Sequence, residues 1–360
     1  MKHKPLGIIL LLSGVLCLSS CAGQQAIPPA ASSMAAAAQE QGEPVTASRE
    51  VFAMDTIMTI QATGVNAQEA VDAAVEEIQR LDTLLSVGNP ASEVYAINQH
   101  GSGILSEDTL LLTQRSLELY NSTNGAYDMT VYPLMQLWGF TGDTPALPND
   151  EDIHTVLSHC GSNKLQLEGN TLTLAAEQGI DFGGIAKGYT SGRIMQIFEE
   201  KGMVSGVVSL GGNVHCFRTK PDNSLWRCGI THPDYPEDTS HLLGVLAVQD
   251  KAVITSGGYE RFFTDDSGTA YHHIMDMNTG YPAHNGLVSV TIVSMDGTLA
   301  DGLSTACYVM GETQAIAYWR AHQDSFDMIL MTEDGRLLVT EPIADQFESS
   351  LPCVIVNREP

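Results

Sequence analysis

The sequence predicts an α+β fold of mainly antiparallel sheets flanked by helices. Three observations point that way. The second half strings strands together across Gly, Pro, Asn and Asp turns instead of alternating each strand with a helix. The first half carries amphipathic segments with a 3.6-residue period. At 360 residues, 43% of them apolar, the chain is long enough to bury a large core, as one domain or two subdomains.

Residues 1–20 read as a lipoprotein signal peptide. Lys2 and Lys4 begin it, and Gly7 to Leu18 form an apolar stretch too short to span a bilayer comfortably. Leu18-Ser19-Ser20-Cys21 resembles a bacterial lipobox, in which Cys21 carries the lipid (palmitate among its acyl chains) and starts the mature protein. No other apolar run is long enough for a membrane helix. The expected location is the bacterial cell membrane, lipid-anchored and facing the extracytoplasmic side. Residues 21–49, rich in Ala, Gln, Pro and Ser, read as a disordered tether. The folded domain is placed at 50–345 and a C-terminal tail at 346–360.

Within the domain, Phe52 to Ile60 reads as one strand and Ala67 to Leu85 as an amphipathic helix. A second helix starts at Ser106 and runs to about Tyr120. A third carries Lys187 and stops near Gly202. Strands follow at Val204 to Leu210, Val214 to Arg218, Trp226 to Ile230, Leu243 to Val248, Ala252 to Thr255 and Val288 to Ser294. Two helices, Leu299 to Met310 and Thr313 to His322, precede a hairpin of Phe326 to Met331 with Arg336 to Thr340 across Glu333-Asp334-Gly335.

Asp and Glu (43) far outnumber Lys and Arg (17), giving a formal charge of −26. That excludes a basic footprint for nucleic acid and the usual signal for anionic lipid surfaces. An acidic protein that binds a polyanion needs locally placed cations. Once Cys17 leaves with the signal and Cys21 with the anchor, five scattered cysteines remain without a CxxC pair. They read as buried thiols, neither a zinc site nor a disulfide framework.

Two segments a hundred residues apart read as walls of one phosphate-and-metal site. Asp181-Phe182-Gly183-Gly184-Ile185-Ala186-Lys187 passes from an apolar strand through paired glycines into a helix. Such a turn offers free backbone N–H groups to an anion. Asp301 and Thr305 stand four apart, so on a helix their oxygens share a face, at a spacing suited to one hard cation. Together they point to magnesium chemistry on a nucleotide pyrophosphate. His272-His273 are adjacent strand residues by this reading, so at most one serves the site. Walker, GxGxxG, GxSxG and HExxH motifs are missing, which removes the main support for the common nucleotidase, dinucleotide-binding, serine hydrolase and metalloprotease readings.

Taken in order, seven segments resemble the ApbE family of flavin transferases, over about residues 50–340. They are Met54-Asp55-Thr56; Gly125 to Asp128 with Thr130-Val131 and Leu137 to Phe140; Asp181 to Tyr189; Leu210-Gly211-Gly212-Asn213; Thr255-Ser256-Gly257; His273-Ile274 through Pro282; and Ala300-Asp301 with Thr305-Ala306. The resemblance implies an ApbE-like, T-fold-related domain. It also implies Mg2+-dependent transfer of FMN from FAD to a threonine or serine of an acceptor flavoprotein, with AMP released. Hydrolysis of FAD to FMN and AMP, or flavin storage, are the alternatives. By the family motif Gly184, Asp301 and Thr305 hold the metal. Met54, Ala126, Tyr127, Asp128, Asp181, Lys187, Thr255 and Ile274 contact flavin or nucleotide, and His273 is the catalytic base. Acceptors are expected among extracytoplasmic flavoprotein subunits of membrane redox complexes. Where many members have an aromatic residue after the first helix, this chain has Ser86-Val87-Gly88-Asn89-Pro90.

Overall fold

A nine-stranded sheet whose strands lie side by side in chain order organises the protein. This computed structural model describes residues 43–142, 144–236, 238 and 240–359. The signal peptide, Cys21 and the tether up to residue 42 therefore lie outside the described residues. The strands are β1 (Val45–Ala53), β2 (Thr56–Gly64), β3 (Ser205–Leu210), β4 (Asn213–Phe217), β5 (Ala252–Gly257), β6 (Leu287–Ser294), β7 (Asp327–Thr332), β8 (Leu337–Thr340) and β9 (Cys353–Val356). All neighbours run antiparallel except β8 and β9. The mixed α+β architecture predicted from the sequence is the one observed.

Both faces of the middle of this sheet are covered, and strict alternation divides its side chains between them. Ala252, Ile254, Val290, Ile292, Met328, Leu330 and Leu338 join the cluster built on the last long helix. Val253, Val293, Ile329, Met331, Leu337 and Val339 face a smaller sheet of Trp226–Thr231, Leu242–Val248 and Phe347–Glu348. That double burial explains why the Met328 to Met331 run is apolar without a break. At the other end, Met58, Ile60, Ala62, Val208 and Leu210 pack under helices α1 (Ala67–Leu85) and α6 (Ala186–Glu200).

The remaining helices are α2 (Glu93–His100), α3 (Glu107–Ser122), α4 (Tyr132–Leu137), α5 (Asp150–Leu157), α6 (Ala186–Glu200) and α7 (Gly297–Ala321). Residue Gly311, at φ 74°, interrupts α7, so the two helices expected there lie end to end. Among the described residues no helix is long and apolar enough to cross a membrane.

Three expectations need correction. The strand expected at Phe52 to Ile60 is a hairpin, because Met54 and Asp55 turn the chain at φ 47° and 58°. Without glycine or asparagine there, no hairpin turn was legible. Its first strand begins at Val45, inside the predicted tether, because all nine of its residues pair with β2. The supposed tail, 346–360, contains β9, which closes the sheet beside β8, and Phe347–Glu348, which pairs with Leu242–Val248.

Candidate active site

Helices α6 and α7 cross in backbone contact, and the site forms at that crossing. A Cβ added at Gly188 would lie 2.1 Å from the carbonyl oxygen of Gly297 and 2.6 Å from the Cβ of Asp301. Glycine at both positions lets the first turn of α6 meet the first turns of α7. Asp301 is buried there at 4% exposure. Its Oδ2 accepts from the Gly188 N–H at 2.8 Å and its Oδ1 from Asn213 Nδ2 at 3.2 Å. Burial pushes its carboxyl up, while Lys187 and these donors hold it down. Each oxygen keeps a lone pair for a cation.

One turn along α7, Thr305 faces Gly184: a Cβ built on Gly184 would sit 3.5 Å from Thr305 Oγ1 and 3.2 Å from the Tyr127 ring. The missing side chain leaves a gap between these groups. Among the described residues no cluster of three or more His, Cys, Asp or Glu could hold a metal by itself. One carboxylate, one hydroxyl and one carbonyl fit a magnesium ion that takes its other ligands from phosphate and water.

The helix N-terminus departs from expectation. Gly183 N–H is taken by Asp181 Oδ1 at 2.7 Å, Ile185 and Ala186 N–H by the Phe182 carbonyl, and Gly188 N–H by Asp301. Most of the donors expected to greet an anion are thus already occupied. The local positive charge comes from Lys187, whose field reaches Asp181, Glu260, His273 and Asp301, and from Arg261, which acts on Asp181 and His273. Asp181 is half-buried, and burial raises its carboxyl against the Gly183 N–H and the charges of Arg261 and Lys187.

The two histidines separate by their partners. The short strand Ala270–His272 stops at His272, whose ring is buried. Nε2 of His272 lies 3.0 Å from the Ala283 carbonyl, and its Nδ1 accepts from Ile274 N–H at 3.2 Å. Both nitrogens are used, which fixes a neutral tautomer by the network. Nδ1 of His273 lies 3.2 Å from the Arg261 carbonyl, which also accepts the His273 N–H at 3.1 Å. Donation from Nδ1 leaves Nε2 as the free, basic nitrogen. Burial lowers this ring to about 4, with Lys187 pushing the same way, so it is unprotonated near neutral pH.

The other residues singled out from the sequence sit around this core. The Met54 turn is held by Met54 N–H to Asp82 Oδ1 at 2.9 Å, and its sulfur lies 4.0 Å from Thr190 Oγ1 on α6. Thr255 pairs its hydroxyl with Thr291 at 2.8 Å, while the next residue, Ser256, bonds Ser304 on α7 at 2.7 Å. Ile274 is buried, and its carbonyl accepts from Ala283 N–H. Ala126 is half-buried beside the main core, and the buried Tyr127 hydroxyl lies 3.4 Å from Ser116 Oγ. Asp128 points elsewhere. Its carboxylate accepts from Thr130 N–H, Thr130 Oγ1, Ser162 Oγ and Ser162 N–H. Oδ1 takes three of these donors and Oδ2 one, so the side chain chiefly shapes the 126–130 loop and keeps one Oδ2 lone pair open.

Sequence reasoning missed Glu260 and Arg261, which follow the Thr255-Ser256-Gly257 segment directly. Glu260 is exposed at the surface, with neighbouring protein crowding its carboxyl. Partial desolvation raises its carboxyl to about 7, with Lys187 opposing and Asp301 adding. Their only signal was adjacency to a segment already singled out.

Known proteins are similar to this chain in sequence and fold. The model of the ApbE family matches residues 54–330. An FAD:protein FMN transferase of Vibrio cholerae is 33% identical over 274 residues, covering 74% of this chain and 80% of the relative. One from Treponema pallidum is 31% identical over 322 residues, covering 83% and 88%. The crystal structure of the ApbE protein from Thermotoga maritima superposes with a TM-score of 0.78 at 31% identity, over 84% of this chain and 99% of that one. The flavin transferase ApbE from Vibrio cholerae does so at 0.74 and 26% identity, again over 84% and 99%.

Proposed function

The chain belongs to the ApbE family, and on that premise we propose that it moves FMN from FAD to a threonine or serine hydroxyl of an acceptor flavoprotein, with Mg2+ bound and AMP released. It is an enzyme, an FAD:protein FMN transferase, and FAD is its substrate. The observation that carries the finer reading is the meeting of Asp301, Thr305 and Gly184 beside Lys187, with the free nitrogen of His273 in the field of the same lysine.

In this reading Gly184, Asp301 and Thr305 hold the metal, which neutralises charge on the pyrophosphate when bound. Lys187 adds a second positive charge where negative charge builds on the departing AMP phosphate. His273 Nε2 takes the proton of the acceptor hydroxyl as its oxygen bonds to the FMN phosphorus and the bond to the AMP oxygen breaks. The Arg261 carbonyl keeps Nδ1 protonated, so the lone pair stays on the nitrogen that works. Met54, Ala126, Tyr127, Asp181, Thr255 and Ile274 shape the flavin and nucleotide seat, with Asp128 holding the 126–130 loop in place.

A second reading, hydrolysis of FAD to FMN and AMP, is favoured by the Ser86–Pro90 loop. There the Ser86 hydroxyl accepts Gly88 and Asn89 N–H groups, and the turn offers no ring to stack on a flavin. We further propose that the protein is lipid-anchored at Cys21 on the extracytoplasmic side of the membrane, where acceptor subunits of redox complexes would meet it. AMP release with FAD and Mg2+, measured with and without an acceptor protein, tests the pair. Acceptor-dependent release supports transfer, and equal release without acceptor supports hydrolysis. Unchanged release with excess EDTA would remove the metal.

A further inference from the structure

Two of the five described cysteines face each other across the gap between the sheets. Cys216 is on β4, and Cys228 is on the strand Trp226–Thr231 of the small sheet. Their sulfurs lie 3.7 Å apart, and both residues are buried, at 1% and 6% exposure. They belong to the cluster that joins the two sheets, beside Ile230, Leu246 and Val253. A tight connection holds them there: Lys220 N–H bonds the Ser224 carbonyl and Asn223 N–H the Lys220 carbonyl. Among the described residues no other pair of cysteine sulfurs is in contact. Cys160 bonds the Val156 carbonyl, Cys307 is buried in the main core, and Cys353 is exposed.

We propose that Cys216 and Cys228 are a disulfide-forming site that takes an organic disulfide as oxidant, and that the bond staples the small sheet to the central one. The sulfurs must close from 3.7 Å to the ~2.0 Å of a disulfide, and both already lie in the one buried cluster between the two sheets. The step balances as thiol–disulfide exchange. Cys228 thiolate attacks one sulfur of the donor disulfide and expels a donor thiol. Cys216 then attacks Cys228 in the mixed disulfide and expels the second. The protein pair loses two electrons and two protons, and the donor leaves as two thiols. Burial protects the finished bond and confines its formation to the folding chain, before the small sheet docks.

Refolding the protein with oxidised glutathione, trapping remaining thiols with N-ethylmaleimide in denaturant, and weighing the digested peptides tests this. The expected product joins the Cys216 peptide to the Cys228 peptide, with two hydrogens lost. Reduction should lower the Tm by on the order of 5 °C, and Cys216→Ala/Cys228→Ala should show no reductant-dependent change. Alkylation of both cysteines, or linkage of either to another cysteine, overturns the proposal. A linked pair whose reduction leaves the Tm unmoved overturns the staple.

Discussion

Gly188→Ala separates the geometry of the site from helix stability, because a second glycine one turn along α6 is its control. The new Cβ would lie 2.1 Å from the Gly297 carbonyl oxygen, where ordinary contact begins at 3.4 Å. Relief therefore needs 3.4 − 2.1 = 1.3 Å of separation between α6 and α7. No rotamer can absorb it, since the obstacle is backbone. A shift of that size stretches the 2.8 Å bond from Gly188 N–H to Asp301 beyond hydrogen-bond reach. Overpacking costs about 1–3 kcal/mol and the lost bond to a carboxylate about 1.5–3 kcal/mol, against about 1 kcal/mol gained from helix propensity. The net expectation is a loss of about 1.5–5 kcal/mol. With Asp301 displaced by roughly 1 Å, turnover should fall about 100-fold. Gly192 has nothing within 4 Å of its would-be Cβ, so Gly192→Ala should stabilise by up to ~1 kcal/mol and leave turnover intact. Urea unfolding midpoints and rates of AMP release read both effects. Wild-type stability and turnover in Gly188→Ala would refute the crossing as the basis of the site.

Asp301→Ala should abolish turnover in a folded protein, and Thr305→Ala should recover part of its loss at high Mg2+; wild-type turnover in Asp301→Ala without added metal would contradict the ligand set. His273→Ala should lose at least ~100-fold in FMN transfer while FAD binding, followed by flavin fluorescence, is retained. His272→Ala should instead lose about 1–3 kcal/mol of stability, because the Ala283 carbonyl and Ile274 N–H are left unpaired, with turnover changed less than ~10-fold. Equal kinetic losses from the two variants would reject the distinction. Because the His273 ring is lowered to about 4, the free enzyme keeps its base unprotonated well below pH 6.5. The acid limb of kcat/KM should therefore lie nearer pH 4 than pH 6.5; a midpoint at 6.5 that disappears in His273→Ala would contradict the environment described.

Much of the fold was legible because period and turn chemistry agree in it. Helix Ala67–Leu85 has the bounds its apolar spacing gives, and the hairpin across Glu333-Asp334-Gly335 turns on a glycine at φ 85°. The Met54-Asp55 turn was hidden because Met54 enters left-handed backbone that methionine rarely adopts, and the aspartate after it is followed by no glycine. At the C-terminus, β9 was hidden because a four-residue strand at the edge has too little pattern to read, with Cys353, Val354 and Ile355 all exposed. In the site, Asp301 with Thr305 and the Gly184 gap were legible as a helical spacing and a glycine pair. The family resemblance singled out His273 over His272, but the partners that distinguish the two rings, the Ala283 and Arg261 carbonyls, were not legible, since they are brought in from elsewhere in the chain. Nor was the occupation of the α6 N-terminus, where Asp181 and Asp301 compete with any anion for the same N–H groups.

The central claim is that this site joins FMN to another protein, and the mass of that protein tests it most directly. An extracytoplasmic flavoprotein subunit incubated with the enzyme, FAD and Mg2+ should gain the mass of one FMN less one water, on a threonine or serine, with one AMP released per adduct. Replacing the wild type with Asp301→Ala should leave the acceptor unmodified. An acceptor of unchanged mass beside full conversion of FAD to FMN and AMP would contradict the account and make the protein a hydrolase.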